Sequence, residues 1–236
     1  MRARDVRATT AGLLFITATA TSLIATAFLG SLLKGSDVLA TVAVHQDRLL
    51  SAALFQLLAA FTSAGIAVAL YPVLRQHAAG TALGAVAFRI IEGVFYALSA
   101  VGTLILVSVS HQITAGASAQ AAGELVRDLR DSADCVGVIA FYTGATLYYL
   151  VFYRSGLIPR WLSVWGLAGT ILGLTAGLLV LFQAIGMFSG TQVVLNLPIA
   201  VQEMVLAVLL IVKGFSPTAK SPTAAEFGPV QTREHA

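Results

Sequence analysis

Arg89 and Glu92 lie inside one apolar run, Ala-Leu-Gly-Ala-Val-Ala-Phe-Arg89-Ile-Ile-Glu92-Gly-Val-Phe-Tyr96. The run is long enough to cross a bilayer, which places two opposite charges in hydrocarbon. Each charge at a helix centre costs roughly 2.5–3.5 kcal/mol on insertion scales. Residues three apart on a helix are neighbours, so this pair can neutralise itself. Arg89, Glu92, Tyr96, Ser99 and Thr103 recur at steps of three and four and share one face, which should look into a bundle rather than at lipid. A second acid, Glu203, follows Gln192 and Asn196 on one face of a later run, with Pro198 between the last two. Proline frees a backbone carbonyl about four residues earlier, and irregular backbone at membrane depth often lines a cavity. If Arg89 lies between the two acids it neutralises only one of them. The other is then protonated, wetted or paired with another cation. Arg89, Glu92, Tyr96, Asn196 and Glu203 are therefore the candidate buried polar cluster. Two readings stay open: a clasp that fixes helix register, or a functional cavity.

Enzymatic chemistry finds less support. Hydrolysis in a membrane usually needs a metal or an activated nucleophile. His45, His77, His111 and His235 fall in predicted loops or the tail, without a His, Asp or Glu at metal-ligand spacing on a helix. Cys135 is the only cysteine, has no nearby His in sequence, and allows no intrachain disulfide. Glu92 with Tyr96 is the one conceivable acid–base pair. No catalytic residue, metal or cofactor is assigned, and the balance leans away from an enzyme.

The elements that must position these residues are membrane helices. The chain has 236 residues, of which 58% are hydrophobic and 11% charged, whereas soluble domains carry about 25% charge. Its mean hydropathy of +0.87 excludes an ordinary soluble globule. About six segments reach the ~20 apolar residues a span requires. They lie near 10–33, 49–73, 82–109, 133–153, 161–187 and 193–213. Such runs are too long for barrel strands of about 10 residues. The fold expected is all-α, a polytopic transmembrane helical bundle over 1–214, followed by a disordered tail over 215–236. The bilayer is the expected partner, and the net charge of +3 is too small and too dispersed for nucleic acid.

Arg2, Arg4 and Arg7 precede the first run, which continues to Leu33, well past a secretory core of about 7–15 residues. It reads as an uncleaved anchor. Arg75, Arg154, Arg160, Lys213, Lys220 and Arg233 fall on the same side as that basic start if there are six spans. On the other side Lys34 and Arg48 are balanced by Asp37 and Asp47, and Arg127 and Arg130 by Glu124, Asp128 and Asp131. Both termini are therefore expected in the cytoplasm.

Leu125, Val126 and Leu129 share a face within 119–131, which reads as a short amphipathic surface helix or a solvated connector. Tyr148, Tyr149 and Tyr153 read as an interfacial aromatic belt. Gln56 and Ser63, seven apart, share a face of the second span. Gly169, Gly173 and Gly177 form a small-residue seam that lets helices approach closely, within the chain or in a homodimer. Glu92 and Glu203 each fall in the third span of a three-span half, a weak echo of the inverted repeats of transporters.

Two stretches carry a family resemblance. Ala87-Phe88-Arg89-Ile90-Ile91-Glu92 is one; Tyr153-Arg154-Ser155-Gly156-Leu157-Ile158-Pro159-Arg160-Trp161-Leu162 is the other. Together, over about 7–213, the chain resembles the uncharacterised bacterial membrane family known as domain of unknown function 4386. The resemblance implies a helical bundle in a bacterial membrane, here the plasma membrane, and no known activity. The expected function is a structural or partner-binding membrane bundle. The alternative is a small-solute or proton-coupled transporter that uses the midplane acids.

Overall fold

The computed structural model describes residues 6–30, 32–33, 35, 37–111, 117–187 and 189–216. The apolar runs become helices because only helices satisfy every backbone group within one segment in hydrocarbon. In chain order they are α1 (Val6–Leu29), α2 (Val38–Val44), α3 (Gln46–Leu74), α4 (Ala79–Ser110), α5 (Ala117–Ser155), α6 (Arg160–Leu181) and α7 (Gly190–Val212). All except α2 are long and apolar enough to cross a membrane, and the protein is a multi-pass helical bundle. No strand occurs among the described residues.

The six long helices form a ring. Each packs on the next in sequence, α1 on α3, α3 on α4, α4 on α5, α5 on α6 and α6 on α7, and α7 closes back onto α1. In that order α4 and α7 stand on opposite sides. A Cβ built at Gly12 would lie 2.7 Å from the Ala207 carbonyl oxygen, so glycine is what lets α1 and α7 touch. Residue 12 is near the start of α1 and residue 207 near the end of α7, so both ends of the described chain emerge on one face of the ring. On that face Gly156 takes a positive φ of 73°, Pro159 caps α6, and the Ser216 amide donates to the Leu157 carbonyl. The turn at 155–159 thereby holds the chain after α7.

The glycine seam is filled from within. A Cβ at Gly173 would overlap the Tyr142 ring of α5, one at Gly166 would press on Tyr149, and one at Gly169 would meet Ile199 of α7. Gly177 faces Ile139 and Val138 at ordinary contact distance. The seam is buried against α5 and α7, so it offers no surface to a second copy.

Several expectations need correction. The helix that carries the fourth span begins at Ala117, well before the apolar run near 133, and 119–131 is its first part rather than a separate surface helix. Its 39 residues make α5 about 58 Å long, roughly twice the hydrocarbon thickness. Packing decides this: Ala119 and Ala133 are buried, and Gly123 lies hard against Leu39 of α2. Leu125 and Leu129 remain exposed, but Val126 packs into the cluster of Val38, Val42 and Leu106. The short helix α2 was not foreseen, although Asp37 caps it by accepting from the Ala40 amide at 3.3 Å. The fifth span stops at Leu181, where Gln183 turns the chain with a φ of 57°. The basic start at Arg2 and Arg4, Lys34, His235, and the tail from 217, with Lys220 and Arg233, lie outside the described residues.

Gly173→Leu is expected to lower thermal stability in detergent, because overpacking a tight interface costs about 1–3 kcal/mol. Gly80→Ala is the control. Gly80 has open space around it, and Ala is favoured in a helix by roughly 0.5–1 kcal/mol. A Gly173→Leu protein that melts with wild type would show that the α5–α6 contact is not tight.

Candidate functional site

Inside the ring lies a cavity of about 400 Å³, walled by α1, α3, α4, α5 and α7. Arg89, Glu92, Tyr96, Asn196 and Glu203, which the sequence only suggested should meet, all line it. They do so because α4 and α7 face each other across the ring and turn their polar stripes inward.

The inner cluster begins with Arg89 and Glu92, 2% and 3% exposed. Their Nη1 and Oε2 atoms are 3.1 Å apart. Ser63 of α3 donates to the other Glu92 oxygen at 2.7 Å. The Arg89 guanidinium also lies over the Phe141 ring of α5, 4.8 Å from its centroid, a favourable contact once desolvated. Glu203 is engaged differently. The Tyr148 hydroxyl donates to it at 2.9 Å, and no cation among the described residues lies within ion-pair distance. Arg89 reaches Glu203 only through the longer-range field. Next to Glu203, Gln202 accepts from Tyr149 and donates to the Leu162 carbonyl of α6 at 3.0 Å. Besides the ion-paired Arg89 Nη1 and Glu92 Oε2, two buried polar atoms in the cavity wall, Arg89 Nε and Asn196 Oδ1, have no hydrogen-bond partner among the described residues.

A second cluster caps the cavity nearer the end away from the termini. Arg130 and Asp134, four apart on α5 and both buried, bridge at 3.3 Å. Arg130 Nε donates to Thr103 at 3.0 Å, and its Nη1 to Asp131 at 2.8 Å. Gln56 of α3 donates to Asp134 at 2.9 Å and to Ser99 of α4 at 3.0 Å. Arg89 is about 15 Å along α4 from its start and Thr103 about 36 Å, so the two clusters are stacked about 21 Å apart along the helix axis.

This second ion pair escaped sequence reasoning, which placed Arg130 in a loop and Asp134 at a helix end. The available signal was their i, i+4 spacing running straight into the apolar part of α5. The aromatic-belt reading of Tyr148 and Tyr149 is also corrected. Both are fully buried, on the acid and amide of α7, and only Tyr153 is exposed. A tyrosine's hydroxyl must find a partner when buried, and here α7 supplies it.

A family model described as Domain of unknown function (DUF4386) matches residues 10–214. No curated protein and no solved structure matches the chain.

Arg130→Met should cost about 3–5 kcal/mol, because it leaves the Asp134 carboxylate buried without its cation. Arg130→Met with Asp134→Leu should recover most of that loss. Thermal unfolding in detergent of the two single variants and the double variant measures the coupling. Additive losses would mean that the two groups do not interact.

Proposed function

The chain belongs to the DUF4386 family, and from that premise we propose that this multi-pass membrane protein is a binding bundle that holds a small guest in the cavity between Arg89, Glu92 and Glu203. One contrast carries the reading. The Arg130–Asp134 cluster is saturated: every arm of Arg130 has an acceptor, and Asp134 has two partners. That is how a clasp holding α3, α4 and α5 in register is built. The Arg89–Glu92–Glu203 cluster lines the same cavity but is left incomplete: it retains a buried polar atom without a partner, and Glu203 has no cation within ion-pair distance among the described residues. A purely structural charge pair gains nothing from an adjoining cavity, since voids remove packing contacts.

A carrier role has its own support. Glu92 and Glu203 reach the same cavity from helices on opposite sides of the ring. Each belongs to the last long helix of a three-span half, and sites between halves serve alternating access. The lysine and arginine bias argues for both termini in the cytoplasm, and the family resemblance for a bacterial plasma membrane.

The triple variant Arg89→Met, Glu92→Leu, Glu203→Gln separates a site from a clasp. Charges replaced together by apolar groups are often neutral or stabilising. A melting temperature in detergent equal to or above wild type is expected and leaves the cluster free for binding. Unfolding or aggregation would mean that the cluster is structural and would sink the proposal. For topology, single cysteines replace His77 and His111 in a Cys135→Ser background. An impermeant thiol reagent applied to intact spheroplasts should label position 111 and spare position 77; the reverse pattern would invert the orientation.

A further inference from the structure

We propose that the guest is a lipophilic amine, an ammonium group on an apolar chain, which enters from the bilayer between α1 and α7 and places its nitrogen beside Glu203. The inference rests on the binding role above and adds the ligand class and the route.

The route follows from how α1 and α7 meet. They touch at Gly12 and Ala207, near the face of the termini. Toward the other end both helices still line the cavity, but with exposed side chains: Leu23 of α1 and Val193 and Leu197 of α7 are each more than half exposed. A side chain that lines a cavity and is also exposed marks its mouth. Both helices are apolar enough to span a membrane, so this mouth opens sideways to lipid. A guest entering there needs an apolar portion.

The charge of the head follows from the wall. Arg89 and Arg130 face three carboxyl groups, Glu92, Asp134 and Glu203, so the lining carries a formal charge of −1 when all of them are ionised. Each arginine already bridges one acid, and the acid left over is Glu203. An anionic head would deepen the imbalance and compete for arginines already engaged. A neutral head would leave it standing. An ammonium cancels it, and Asn196 Oδ1, two turns earlier on α7, adds an acceptor to the same wall that has no partner among the described residues. Tyr142 adds an aromatic wall to the cavity, which further favours a cation. A volume of about 400 Å³ accommodates such a head with several methylenes, while the rest of the chain stays in the mouth.

The test is equilibrium binding of radiolabelled decylamine to the full chain in nanodiscs at neutral pH, with protein-free nanodiscs subtracted. Decanol and decanoate carry a chain of matched length. The amine is expected to bind saturably, and the alcohol and carboxylate far more weakly. Glu203→Gln should weaken amine binding by about tenfold or more, the loss of one charge-assisted contact, while Glu203→Asp retains most of it. Leu197→Trp alters an exposed mouth residue without touching the core, and should reduce amine binding in a folded protein. Decanoate or decanol binding as well as decylamine would overturn the amine assignment and leave the binding role standing. Amine binding that ignores both Glu203→Gln and Leu197→Trp would overturn the site and the route. If none of the three binds, the binding role falls as well.

Discussion

A charge in hydrocarbon finds no water, so each ionised group between these helices must take its partners from the protein, within its own helix or from its neighbours. That constraint organises the bundle. Arg89 and Glu92 pair within α4, yet the pair is completed by Ser63 of α3 and the ring of Phe141 on α5. Glu203 and Gln202 of α7 are met by Tyr148 and Tyr149 of α5, and Gln202 reaches on to α6. The polar contacts thus join five of the six long helices through α5.

Between those polar points, close approach does the rest. Lipid chains are as apolar as leucine, so helices in a bilayer associate through fit more than through burial from water. The glycines of α6 receive the tyrosines of α5, and Gly12 of α1 receives the backbone of α7. The two kinds of contact depend on each other. Gly166 accommodates the Tyr149 ring whose hydroxyl then reaches Gln202, so a small residue on one helix makes possible a hydrogen bond to another.

The ring is not packed uniformly. Around Arg130 the polar groups are fully matched, and α2 adds an apolar cover of Val38, Leu39 and Val42. Around Arg89 and Glu203 the match is incomplete and space remains. The close approach of α7 to α1 at Gly12 lies toward the face of the termini, while exposed Leu23, Val193 and Leu197 edge that space toward the other end. A rigid, saturated rim beside an unsaturated centre suits a site that must keep its shape while its occupant changes.

The fold class was legible in the sequence because it depends on local quantities. Six apolar runs of spanning length are each read from a few adjacent residues. The inward stripe of α4 was legible for the same reason, since helical periodicity alone puts Arg89, Glu92 and Tyr96 on one face. Which stripe faces which was not legible. Tyr148 and Tyr149 resembled an interfacial belt until α7 brought acceptors to them, and Arg130 resembled a loop residue until contacts with α2 and α4 extended α5 through it. The glycines of α6 announced a close contact without naming the partner. The sequence by itself determined that the chain crosses a membrane as helices and that charges are buried in it. Only the tertiary structure decided that each nitrogen of Arg130 meets an acceptor, that Glu203 has no cation beside it among the described residues, and that a cavity lies between them. Those facts depend on distances between helices far apart in the chain, and no local pattern encodes them.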